Sequence, residues 1–182
     1  MTNRDCRTGF RGRDCFARWM TVSAAVKREF FKGFAINAVD AKGRLSIPAG
    51  YRSTIEARSM VKEVTLSLRF EPNHIRAYDE FYNAHIYDQI AGRFAPDQET
   101  ERAAALQREF SFVEAQPYDA NGRIVLPAAI RAAAGIDRLA CFIAYADYFE
   151  IWDPVSLLAS DRADAATKFH IGHLLKERGA AA

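Results

Sequence analysis

The sequence predicts an α+β protein made of two tandem copies of one strand–turn–strand–helix unit. Three observations carry this. A 13-residue motif occurs twice, as DAKGRLSIPAGYR from Asp40 to Arg52 and as DANGRIVLPAAIR from Asp119 to Arg131. The offset between the copies is constant at 79 residues (119 − 40 and 131 − 52). Each motif is entered by a segment with strand periodicity and left through a proline that opens a helical run. Self-similarity at a fixed period means one structural unit present twice, and two copies of whatever that unit does.

The elements follow in order. Phe34, Ile36 and Ala38 alternate with Ala35, Asn37 and Val39, the period of a strand. Asp40-Ala41-Lys42-Gly43 is a turn: the Asp carboxylate accepts backbone N–H groups just downstream, and Gly supplies positive φ. From Arg44 to Ile47 alternation resumes, with Leu45 and Ile47 on one face and Arg44 and Ser46 on the other. The reading is a β-hairpin with a basic tip. Pro48 ends the strand and starts a short helix through Tyr51 and Ile55. The second copy repeats this: a strand over 111–118, a turn from Asp119 to Gly122, a return strand from Arg123 to Leu126, then Pro127 and a helix to Ala134 stopped by Gly135. More β follows in each unit, over 64–70 and 75–78 in the first and over 139–145 and 148–152 in the second. Asp79 and Asp153 precede helical runs, as N-cap acids should. Phe81, His85 or Ile86, and Ile90 form one face of the first of these helices, and a further helix over 97–110 links the halves.

The resulting division is a basic extension over 1–30, expected to be disordered, a first repeat over 31–92, a linking helix over 93–110, a second repeat over 111–165, and a C-terminal helix and tail over 166–182. The extension has no apolar core of a secretory signal, and its acids and scarce serine fit a transit peptide poorly. Three readings of it stand side by side: a basic arm touching nucleic acid, an inert tail, or a start placed upstream of Met20.

Composition excludes several classes. With 49% apolar and 12% aromatic residues the chain can bury a core. No apolar run approaches the roughly 20 residues of a membrane span. Cys6, Cys15 and Cys141 form no CxxC pair, which fits a reducing cytoplasm better than a disulfide framework or a zinc site. Residues 1–33 carry eight Lys/Arg against three acids, net +5, so the remainder of this +2 chain is net −3. A polyanion partner must therefore be held by local clusters, since the core lacks a basic field.

The repeated positions divide by what a turn requires. Asp40, Gly43, Asp119 and Gly122 make the turns. Arg44 and Arg123 are not needed for one, yet both copies carry Arg directly after Gly. Its planar five-donor fork suits phosphate or the guanine edge. Lys42 adds charge in the first copy, whereas Asn121 can hydrogen-bond but brings none, so the first tip is expected to grip a nucleic-acid backbone more strongly. The candidate DNA-binding set is Asp40, Lys42, Gly43, Arg44, Asp119, Asn121, Gly122 and Arg123. Arg52 and Arg131 are as apt to pair with the turn Asp of their own unit as to meet a ligand.

The doubled D-x-x-G-R motif, with its following proline and Arg and the Phe31-x-Gly33 lead-in, resembles the MraZ family over roughly residues 31–165. That family comprises transcriptional regulators of the bacterial division and cell-wall gene cluster. The resemblance implies two SpoVT-AbrB-like swapped-hairpin units in a pseudo-twofold small barrel with flanking helices. It also implies promoter DNA as partner, bound at tandem boxes, a ring-like homo-oligomer, and a cytoplasmic, nucleoid-associated protein. The Arg-rich segment before about residue 20 has no family counterpart. Pro117, two residues before Asp119, points to an edge or a bulge at the second tip.

Enzyme readings are weak. His170 and His173 share a helix face without a Glu or Cys at metal spacing, and no phosphate-binding loop or nucleophile elbow is present. Neither metal nor cofactor nor small-molecule substrate is expected. Phe81, Tyr82 and Tyr87 read as core or subunit interface. The rival reading is an antitoxin-like or protein-interaction module on the same fold.

Overall fold

The computed structural model describes residues 29–179, so the readings made for the segment before residue 29 lie outside it. Eight strands and six helices alternate as β1 (Phe34–Ala38), β2 (Arg44–Ser46), α1 (Ala49–Ser59), β3 (Glu63–Arg69), β4 (His74–Tyr78), α2 (Glu80–Ala91), α3 (Glu99–Phe110), β5 (Val113–Pro117), β6 (Arg123–Val125), α4 (Ala128–Ala133), β7 (Leu139–Ala144), β8 (Phe149–Trp152), α5 (Pro154–Ala159) and α6 (Ala165–Glu177) among the described residues.

The strands interleave. One six-stranded sheet runs β1-β7-β8-β4-β3-β5, and β2 pairs with β6 in a separate two-stranded ribbon. Every pairing is antiparallel. Exchanging each strand with its counterpart in the other copy (β1 with β5, β2 with β6, β3 with β7, β4 with β8) returns the same order read backwards. The local hairpin reading is corrected. β1 and β2 are joined by the isolated bridge Val39↔Leu45 and a side-chain hydrogen bond from Asn37 to Ser46 O, and their ladders go to β7 and β6 of the other copy. A period-2 pattern fixes which face of a strand is buried, not which strand lies beside it. The large sheet is open, with β1 and β5 at its edges, and does not close into a small barrel. Pro117 ends edge strand β5, where a missing N–H is tolerated.

The main core lies between the sheet and the ribbon. Leu45 and Ile47 from one copy and Ile124 and Leu126 from the other join Leu66, Ile75, Phe142, Phe149 and Ile151 of the sheet, with Tyr51 and Ile55 of α1 and Ile130 of α4. Full burial of each such side chain is worth about 1.5–3 kcal/mol. The opposite face of the sheet is covered in two patches. Helices α5 and α6 bring Leu157, Ile171 and Leu175 onto Ile36, Cys141, Ile143 and Trp152. Helices α2 and α3 bring Ile86, Ile90, Leu106 and Phe110 onto Tyr78. Burial pushes the Cys141 thiol up to about 12, so it packs as a small apolar group and is no nucleophile. No described helix is long and apolar enough to cross a membrane.

Both predicted acidic caps are formed. Asp79 accepts from Tyr82 N at 3.0 Å and Asp153 from Ser156 N at 2.8 Å. The first of them sets the phase of α2 and corrects its predicted face. Tyr82, Ile86 and Ile90 turn inward at i, i+4 and i+8, while Phe81 is 56% exposed. Of the three aromatics read as core or subunit interface, Tyr82 packs in the core, Phe81 lies under the Arg58 guanidinium, and Tyr87 is exposed. His170 and His173 lie exposed on α6, His173 facing Glu177, and no metal-binding cluster occurs among the described residues.

Candidate nucleic-acid interface

The ribbon carries the candidate residues, and its register explains their placement. Leu45 pairs with Ile124, Arg44 with Val125, and Ser46 with Arg123. Since 124 − 45 is again 79, the central pair is a residue facing its own counterpart. Leu45 and Ile124 point into the core. By alternation Arg44, Ser46, Arg123 and Val125 form the outward face, with the two arginines at diagonal corners.

Each tip is a tight turn built by its aspartate. Asp40 Oδ1 accepts from the N–H groups of Lys42 and Arg44, both at 2.9 Å. Asp119 Oδ1 accepts from Asn121 and Arg123 at the same distances. Gly43 N and Gly122 N close the turns onto Asp40 O and Asp119 O, and the glycines sit at φ +76° and +74°. The second carboxylate oxygen holds the arginine: Arg44 Nε on Asp40 Oδ2, and Arg123 Nε and Nη2 on Asp119 Oδ2 at 2.9 and 2.8 Å. Backbone N–H groups first, and the guanidinium second, hold both carboxyls below the usual carboxylate range. These ion pairs are exposed, with side chains 38–43% accessible. The arginines are thus aimed by their own turns while their remaining N–H groups stay free of hydrogen bonds among the described residues.

Neither tip is complete within one copy. Ile47 N donates to Gly122 O at 2.8 Å, and Leu126 N to Gly43 O at 2.9 Å. The helix arginines also cross over. Arg52 does not pair with Asp40; its Cδ, Nε and Cζ fill the space where a Cβ on Gly122 would stand. Arg131 does not pair with Asp119 either; its Nη1 approaches the equivalent point at Gly43. From there the two differ. Arg131 donates to Ile136 O, Asp137 O and the Asp137 carboxylate. Arg52 Nε is buried with no hydrogen-bond partner among the described residues. At the first tip an open cleft of about 440 Å³ remains between Lys42, Gly43, Arg131 and α4. The sequence offered one signal for this crossover, an Arg closing both copies of the motif, but no indication of which turn it reaches.

Such a surface presents paired guanidinium forks on a twisted two-stranded ribbon, suited to planar acceptors and phosphates.

Comparison with known proteins gives the family. A family model described as MraZ protein, with an antitoxin-like qualifier, matches residues 112–157. The chain is 33% identical over 146 residues to the transcriptional regulator MraZ of Rhodospirillum rubrum, covering 78% of this chain and 90% of that one. It is 31% identical over 145 residues to that of Gluconacetobacter diazotrophicus, with 76% and 87% covered. It is 34% identical over 135 residues to that of Ruegeria pomeroyi, with 69% and 78% covered. Shared identity over most of both chains, spanning both copies of the motif, places this chain in the MraZ family of transcriptional regulators.

Proposed function

We propose that the protein is a sequence-specific DNA-binding regulator, reading promoter boxes of the division and cell-wall gene cluster through the two turn tips. The observation that carries this is the diagonal pair Arg44 and Arg123 on the outward face of the β2–β6 ribbon. A major groove about 12 Å wide admits a two-stranded ribbon. Diagonal neighbours on such a ribbon stand about 7–8 Å apart, close to two base steps at about 3.4 Å each. Guanidinium groups already oriented by Asp40 and Asp119 lose less freedom on binding. In this reading Lys42, Asn121 and the turn N–H groups set position on the backbone, and Arg44 and Arg123 read base edges.

One ribbon on a core of net charge −3 is a weak holder of DNA. Several subunits in a ring would present several ribbons to tandem boxes, and linked weak contacts gain strongly through effective concentration. Work on the chromosome would make the protein nucleoid-associated in the cytoplasm. The antitoxin-like qualifier of the matching family favours one rival, in which the same ribbon meets a protein.

A gel-shift titration across salt separates the two. The promoter of the cluster should bind more tightly than a scrambled duplex of equal length, and log K should fall linearly with log salt. Equal binding to both duplexes would remove the operator reading.

A further inference from the structure

We propose that Arg52, carried by the first copy, contacts the DNA backbone at the second copy's tip and supplies there the charge that Asn121 lacks. The inference rests on the DNA reading above.

The two tips differ by one cation in sequence. Lys42 occupies the third turn position in the first, and Asn121 in the second. The fold offsets that difference from the other side of the pseudo-axis. The Arg52 side chain lies directly against Gly122, the neighbour of Asn121. It is also close enough to Tyr118, the residue before Asp119, to act on its hydroxyl. Burial and the Glu56 carboxylate push that hydroxyl up, and Arg52 opposes the rise.

The state of its donors separates Arg52 from Arg131. Three acceptors hold Arg131, one of them the Asp137 carboxylate, so its Nε and Nη2 donors are engaged within the protein. Among the described residues Arg52 has no ion-pair partner, and its buried Nε makes no hydrogen bond. Nε itself is shut off from solvent, so an anion would meet this half-buried guanidinium through its Nη groups, and an acceptor there offsets part of the cost of burying the charge. Phosphate offers acceptors in the geometry of the guanidinium fork. Each tip then holds one backbone cation beside its base-reading arginine: Lys42 with Arg44, and Arg52 with Arg123. A carboxylate-bearing protein would satisfy the same fork, and the salt dependence on duplex DNA distinguishes it.

The test uses the full chain and fluorescence anisotropy, with promoter and scrambled duplexes, between about 50 and 200 mM salt. Arg52→Gln should weaken binding to both duplexes by the same factor and lower the salt slope by about 0.9 for each second tip engaged. Arg52→Lys, which keeps the charge, should keep the slope. Adding Asn121→Lys to Arg52→Gln should restore it, because the charge returns without the side chain that packs on Gly122. Melting curves of each variant establish that it is folded. A wild-type slope in folded Arg52→Gln, or no recovery in the folded double variant, overturns the assignment and leaves the DNA reading standing. A wild-type protein that binds neither duplex even at the lowest salt overturns both.

Discussion

Leu45 and Ile124 face each other across the β2–β6 ribbon, and each is the other's counterpart in the repeat. They are 0% and 1% exposed and belong to the same core cluster. The pair holds the two copies together at their shared axis, below the outward arginines. Leu45→Ala or Ile124→Ala should each cost about 2–5 kcal/mol. The double variant should cost less than the sum, because neighbouring truncations share one cavity. Urea denaturation measures both. Strict additivity would mean the side chains do not share a packing environment.

Arg44→Ala and Arg123→Ala should remove sequence preference while leaving the circular dichroism spectrum and oligomer size unchanged. Each bidentate base contact contributes about 1–3 kcal/mol of discrimination. The comparison is promoter against scrambled duplex for each variant. If either substitution unfolds the protein, the arginine serves its Asp40 or Asp119 turn and not a ligand.

Gly43→Ala and Gly122→Ala should both destabilise, since positive φ costs an L-residue roughly 1–2 kcal/mol. Their contexts then diverge. A methyl at Gly43 meets Leu126 O at 3.3 Å and Arg131 Nη1 at an ordinary 3.7 Å, whereas one at Gly122 collides with the Arg52 side chain. Removing Arg52 should therefore rescue part of the Gly122→Ala defect, with a coupling of at least about 0.5 kcal/mol. Removing Arg131 should not rescue Gly43→Ala. Thermal denaturation of the two double-mutant cycles decides it.

Acid should erase the contribution of the turn aspartates. Asp40 and Asp119 have folded-state values held below the ordinary one. Their stabilisation is therefore complete above about pH 4, the unfolded value, and is lost as pH falls through the lower folded values. Asp40→Asn combined with Asp119→Asn should be less stable than wild type at neutral pH, with the gap closing on acidification. Both carboxylates are solvent-exposed, so salt should shrink the gap as well. Urea titrations from pH 7 downward give the result, and a gap independent of pH would contradict it.

What the sequence revealed was local, and what it concealed was pairing. The Asp–Gly turns, the helix starts after Pro48 and Pro127, the caps at Asp79 and Asp153, and the edge position of Pro117 all depend on residues a few positions apart. Each was legible because one short-range contact decides it. Ser46 lies opposite Arg123 and not opposite a strand of its own copy, and alternation reads the same for either partner. Phe81 shows a different failure. Its spacing from Ile90 put it on the inward face of the helix, but with Asp79 as the cap Tyr82 takes that inward position. Arg52 and Arg131 were visible as repeated residues, while their crossing to the opposite turns follows only from the interleaved strands.

That interleaving has a further effect. A homodimer of single units must change both halves of its surface with every mutation, so it meets its target with identical hands and favours palindromes. Fusing the copies into one chain lifts that restriction. Lys42 and Asn121 could diverge at matching positions, as could the surroundings of Arg52 and Arg131. The ribbon therefore has a left and a right, and under the DNA-binding proposal such a protein would register which direction along its target it is facing.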